Sequence, residues 1–257
     1  IEVWSAALSG LRELDRIASA EDTPALQQFV RQLLAAKVDE LGWVPADGEA
    51  DRTKALRGVL LRSFGNLGSD QETVAKARAI AFDPDIDVEV ASAAQMIVAA
   101  HGDMADFDRF VKMSNAAPTP QLMVKYMTAA LQVPQPEVPG RVLQMIIDGD
   151  IRRQDSFWVA AALLGTKTNG PTAWQLATER WDELLAALPP TDGSRVIDYV
   201  QYLSDPVTEA SIKGWLADHP IPFGEAATKQ RLEMLDIRIG LRDRESDRLG
   251  SVLRSYS

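Results

Sequence analysis

Cysteine is absent from this chain of 257 residues, which excludes a disulfide framework and any thiolate metal site. Histidine is scarce, with only His101 and His219. A zinc helix of the His-Glu-x-x-His kind needs two histidines four apart with a glutamate, and no such pair exists here. Each of the two stands just before a helix-ending Gly or Pro, where an imidazole serves the negative end of the helix. No apolar run approaches the ~18 residues of a membrane span. Positive charge is in deficit: 27 Lys and Arg against 37 Asp and Glu leave a net charge of −10. That balance argues against non-specific binding to nucleic acid or anionic lipid, both of which need a basic footprint. The sequence opens on Ile1 rather than methionine, and its first residues do not read as a signal peptide. The pattern begins already helical at Ile1, so a fragment of a longer protein is expected, with the cytoplasm the favoured setting.

What is present is helical periodicity. Hydrophobic residues at 46% and charged residues at 25% are ordinary for a globular chain. Val3, Trp4, Ala7, Leu8, Leu11, Leu14 and Ile17 form one stripe. Thr23-Pro24 reads as a cap with a first-turn proline, and Gly42 ends the helix that follows. Ser69 is expected to cap the fourth helix, and Gly102 to close the fifth in a left-handed turn. Two helices form a hairpin from Ile151 to Leu164 and from Pro171 to Leu188, with Trp174 and Trp181 leaning the same way. About thirteen helices with short breakers follow from such patterns. The predicted fold class is all-α: one helical-repeat domain over residues 1–257, a curved array of antiparallel helix pairs of the HEAT-like α-solenoid kind. Trp4, Leu33, Leu60, Phe110, Leu163, Trp174 and Trp181 are expected to be largely buried.

Candidate chemistry is sparse. Asp83-Pro84-Asp85-Ile86-Asp87 alternates like a calcium loop, but Val88 and Ala94 stand where Gly and Glu are required. These acids therefore read as helix N-caps, as do Asp103, Asp106 and Asp108. Gly165-Thr166-Lys167-Thr168-Asn169-Gly170 lacks the Lys-Ser/Thr after its second glycine and the strand before its first, so it is a turn rather than a phosphate loop. Arg152 and Arg153 are the oddity, because positive charge in a first turn opposes the helix dipole. They either snorkel to solvent or face an anion or acidic partner.

The order Ile151-Arg152-x-Gln154-Asp155, Asn169-Gly170, Ala173-Trp174 and Trp181 resembles the C-terminal helical domain of zinc aminopeptidases. Those are the aminopeptidase N, puromycin-sensitive and endoplasmic-reticulum aminopeptidase types. Glu2-x-Trp4, Leu41-Gly42-Trp43, Leu56-Arg57-x-x-Leu60, Gly102 to Phe110 and Tyr126 to Leu131 extend the resemblance over nearly the whole chain. The family's opening helices are missing, as is the peptidase domain with its His-Glu-x-x-His helix. The resemblance implies a non-catalytic domain with no catalytic residue, metal or cofactor of its own. Zinc is expected in the absent catalytic domain. The implied partners are that domain, over whose chamber this one closes, and peptide substrates. Arg152 and Arg153, with Lys167 across the hairpin turn, are then candidates to receive a peptide's free carboxylate. A free-standing scaffold that binds a protein through its concave face is the alternative reading.

Overall fold

Acceptors placed just ahead of apolar stripes start many of the helices. In the computed structural model, which describes residues 2–190, 192–221 and 224–256, Asp87 accepts from the backbone N–H of Glu89 at 3.0 Å. Asp103 and Asp106 form a reciprocal capping box, Asp205 accepts from Thr208 N–H at 2.9 Å, and Thr119 accepts from Leu122 N–H at 3.3 Å. Each satisfies a donor that the first turn leaves without an intrahelical partner. The Asp83 to Asp87 segment thus works as a cap, with Asp83 also accepting from Asp85 N–H at 2.9 Å. No strand occurs among the described residues, and the fold is all-α.

The contacts fall into two units. The first runs to His101 and also includes the chain from Arg242 onward. It holds α1 (Glu2–Ile17), α2 (Thr23–Leu41), α3 (Asp51–Asn66), α4 (Gln71–Ile80) and α5 (Val88–Ala100). Consecutive helices pack on one another, and α3 also packs on α5. Leu8, Leu11, Leu26, Val30, Leu34, Leu60, Leu61 and Val90 make its core. Packing of α3 on α5 is close because Gly65 has no side chain: a Cβ there would lie 2.8 Å from Ile97. Gly42 ends α2 with φ +59°, as its sequence position implies.

Several local expectations for this unit need correction. Val3 is 82% exposed and Leu33 44% exposed, and Trp4 is half-buried. The packed stripe of α1 is Leu8, Leu11 and Ile17, and α2 buries Leu26, Val30, Leu34 and Val38, which turns Leu33 outward. Asp70, not Ser69, caps α4, accepting from Thr73 N–H at 2.9 Å. Ser69 is instead the link residue with φ +47°. Thr23 already lies inside α2, and its hydroxyl donates to the carbonyl of Ser19 at 2.9 Å. Helix α5 closes at His101 with φ −120°, and Gly102 is not among the residues of positive φ.

Glu49 and Arg57 form a two-pronged ion pair at 2.5 and 2.7 Å, with the Arg57 side chain only 2% exposed. The Arg57 hydrogen bonds hold the Glu49 carboxyl below its ordinary 4.5, against the opposing effect of burial. A carboxylate depressed by folding stabilises the chain above its unfolded value and loses that contribution as pH falls through the folded one. The chain should therefore lose melting temperature as pH drops below about 4.5. Glu49→Gln should lower the melting temperature at pH 7 and flatten the acid limb. Parallel acid limbs for the two proteins would refute this.

The second unit is Gly102–Leu241. It contains α6 (Met104–Asn115), α7 (Pro120–Gln132), α8 (Val138–Ile147), α9 (Arg153–Leu164), α10 (Gly170–Glu179), α11 (Trp181–Ala187), the single turn α12 (Gly193–Val196), a 3₁₀ segment (Ile197–Tyr202) and α13 (Pro206–Asp218). Helix α14 (Glu225–Ser255) belongs to this unit up to Leu241; the apolar pattern of the sequence starts this last helix at about Pro222, which lies outside the described residues. Phe107, Phe110, Leu131, Ile146, Leu164, Trp174, Leu184 and Ile212 are buried between α6–α7, α8–α11 and α13. The run predicted as one helix from Pro171 to Leu188 is two, broken at Arg180 with φ −123°. Trp181 is consequently half-buried, whereas Phe110, Leu163 and Trp174 are buried as expected.

Candidate functional site

Helix C-termini leave four carbonyls without intrahelical partners and carry partial negative charge. In both units, side chains remote in sequence take up those carbonyls. Arg57 Nε donates to Leu41 O at the end of α2 (3.1 Å). His101 Nε2 stands 2.9 Å from Gly65 O near the end of α3; a carbonyl only accepts, so that nitrogen carries the hydrogen. Gln95 donates to Ala81 O after α4 (2.8 Å), and Arg78 to His101 O after α5 (2.7 Å). In the second unit, Asn169 donates to both Leu131 O (3.0 Å) and Val133 O (2.9 Å) at the end of α7. Arg153 donates to Leu188 O from Nε (3.0 Å) and Nη2 (2.7 Å), and to Ala186 O (3.3 Å), closing α11.

Two motifs noted in the sequence therefore meet: Arg57 of Leu56-Arg57 binds the carbonyl of Leu41 in Leu41-Gly42-Trp43. Asn169 of Asn169-Gly170 ties its turn to α7 in the same manner. These residues hold helix ends together, which is a structural task.

The candidate peptide-contact residues separate on inspection. Arg153 is committed to the α11 terminus. Arg152 precedes α9, remains 59% exposed on its side chain, and pairs with Asp155 at 2.7 Å. Lys167 is exposed beyond the other end of α9; twelve helical residues span roughly 18 Å, so it does not join the arginines in one cluster. Arg152 borders a cleft of about 370 Å³ whose walls include Ser114, Met123, Met127, Asp155 and Trp158. Trp158 Nε1 donates to the second oxygen of Asp155 at 3.3 Å, so Asp155 holds both the cation and the indole in the cleft wall. The cleft sets one guanidinium, Arg152, beside the carboxylates of Asp150 and Asp155 and the side chains of Met123, Met127 and Trp158.

No group of three or more His, Asp or Glu side chains that could hold a metal exists among the described residues. His219 places Nδ1 2.9 Å from Trp215 O, and His101 is used on Gly65. These residues do not form a donor set for zinc.

Residues 1–237 match the family described as the ERAP1-like C-terminal domain. The chain belongs to that family. The ERAP1-like domain is also similar to Aminopeptidase M1-B of Oryza sativa subsp. japonica, with 28% identity over 255 residues, 91% of this chain and 28% of that relative. It is 25% identical over 181 residues to Aminopeptidase M1-A of the same plant, covering 66% of the chain and 20% of the relative. With Aminopeptidase 2 of Candida albicans it shares 23% identity over 202 residues, 73% of the chain and 21% of the relative. The chain thus spans 28% or less of the length of these three relatives. No helix of the ERAP1-like domain, among the described residues, is long and apolar enough to cross a membrane.

The helix-end bridges were invisible in sequence because each joins residues 14 to 38 apart. The one available signal was polar residues standing in otherwise apolar contexts, such as Gln95 between Ala94 and Met96.

Proposed function

We propose that this chain is the non-catalytic C-terminal domain of a zinc aminopeptidase, closing over the chamber of the catalytic domain and helping to hold peptides in it. The family match over residues 1–237 carries the reading, and relatives named as aminopeptidases support it. Zinc in this reading belongs to the catalytic domain. The expected curved array of helix pairs is part of the same proposal, with the cleft at Arg152 facing the peptide.

A peptide whose N-terminus is at the metal presents its free carboxylate away from it. Arg152 supplies an accessible planar cation for that group, and Met123, Met127 and Trp158 supply apolar surface beside it. Arg153 takes no part beyond fixing the local backbone, and Lys167 at the far end of α9 would meet only a different part of the peptide.

In the complete enzyme, Arg152→Glu should lower kcat/KM on long peptides by roughly tenfold, about 1.4 kcal/mol. Single-residue chromogenic substrates, too short to reach the cleft, should be turned over as before. Arg153→Glu should instead lower the melting temperature, by depriving Leu188 and Ala186 of their donors. Equal long-peptide rates for Arg152→Glu and the parent would remove Arg152 from the peptide path.

A further inference from the structure

Helix α1 carries two apolar strips side by side, and only one of them is fully packed. Trp4, Leu8 and Leu11 follow one another by four and then three residues and so share a face. Leu8 and Leu11 are buried in the core of the first unit, and Trp4 packs half-buried against it. Val3, Ala7, Gly10, Leu14 and Ile17 repeat the same four-three spacing on the adjoining strip. Ile17, at its far end, is 6% exposed, and the turn beyond it is held where Asp22 pairs with Arg254 of α14. The near end lies open. Val3 is 82% exposed, Ala7 and Gly10 are exposed too, and a Cβ on Gly10 would meet nothing within 4 Å.

A four-three repeat keeps one strip turned toward a neighbouring helix over successive turns. This strip has no charged side chain, and Ala7 and Gly10 are small enough to let a second helix axis come close. The described residues do not supply that helix. α2 packs on α1, where the core strip lies, and the bond between α1 and α3 runs from Arg52 to Glu2, at 2.6 and 2.7 Å, off the strip.

Two sources of such a helix exist, a second copy or the rest of the same polypeptide. The net charge of −10 opposes the approach of two copies, whereas a tethered segment arrives at high effective concentration. The matched stretch is 28% or less of the three relatives' length, and the family is described as a C-terminal domain. We infer that the open half of the strip seats a helix of the polypeptide that leads into α1 in the complete protein, packed on Val3, Ala7 and Gly10. The inference rests on the aminopeptidase-domain reading for the existence of that polypeptide, but not on its catalysis.

The absence of cysteine supplies the test. Ala7→Cys puts a thiol on the strip, and Ser9→Cys, at another exposed position, puts one off it. Each is made in this chain and in the complete product of its reading frame, and alkylation is followed by mass spectrometry of the peptide that carries the position. In this chain the two thiols should react at similar rates at every protein concentration. In the complete product Ala7→Cys should react about tenfold more slowly, because burial makes a thiol inert, while Ser9→Cys keeps its rate. Equal rates for Ala7→Cys in the two proteins, or equal slowing of both thiols, would overturn the inference. Protection of Ala7→Cys that grows with the concentration of this chain would give the strip to a second copy and overturn it as well. A reading frame with nothing ahead of this chain would refute the domain reading itself. A longer product that lacks peptidase activity yet protects Ala7→Cys would refute only the catalytic part of that reading.

Discussion

Trp174→Ala should lower the melting temperature of the chain by roughly 10 °C. Trp174 is 1% exposed, and truncating a buried tryptophan typically costs about 3–5 kcal/mol through lost burial and the cavity left behind. For a protein of this size each kcal/mol shifts the midpoint by about 2–4 °C. Two specific contacts are lost with the ring: the edge-on packing against Trp215 and the bond from Nε1 to Ser211 Oγ at 3.1 Å. Those contacts join α10 to α13. Because the cavity sits in the second unit, hydrogen exchange should quicken there first. Thermal denaturation by circular dichroism measures the shift, and a change under about 2 °C would mean that Trp174 is not part of the cohesive core.

The second large effect is expected at Asn169. Its amide is buried and donates to the carbonyls of Leu131 and Val133. Asn169→Ala leaves two buried acceptors without donors, at about 1–3 kcal/mol each, so urea denaturation should show a loss of roughly 2–6 kcal/mol. Asn169→Asp should be worse, because it aims a carboxylate at two carbonyl oxygens in a dry site. Relaxation of the turn cannot easily rescue either variant, since even a Cβ at Gly170 would come within 2.4 Å of Leu164 O. An Asn169→Ala protein as stable as the parent would show that the α7 terminus is not held this way.

Periodicity made the helices legible, since burial of a stripe every third or fourth residue is a local property of the chain. Caps at Asp87 and Asp103 were legible for the same reason: the acceptor lies two or three residues from its donors. The offset at Ser69 and Asp70 was not, because two adjacent cap-forming residues compete and the positive φ of Ser69 settles the matter only in the folded chain. Leu33 fooled the pattern because α2 has more apolar positions than one face can bury. Arg180, where α10 and α11 part, bonds Gln144, 36 residues away, as well as the nearby Glu183, so no window of local sequence contains all its partners. Arg153 shows the limit most plainly. Its charge at a first turn is unfavourable locally, yet it is explained by the carbonyl ends of α11, 33 and 35 residues later. Exposure left Arg152 and Lys167 readable only as candidates.

Aminoacyl-p-nitroanilide hydrolysis, measured side by side on this chain and on the complete product of the reading frame that encodes it, tests the central claim most directly. A non-catalytic domain predicts no turnover by the isolated chain and chelator-sensitive turnover by the complete product. Turnover by the isolated chain that survives repeated fractionation, or a complete product that is inactive on every aminoacyl substrate, would contradict it.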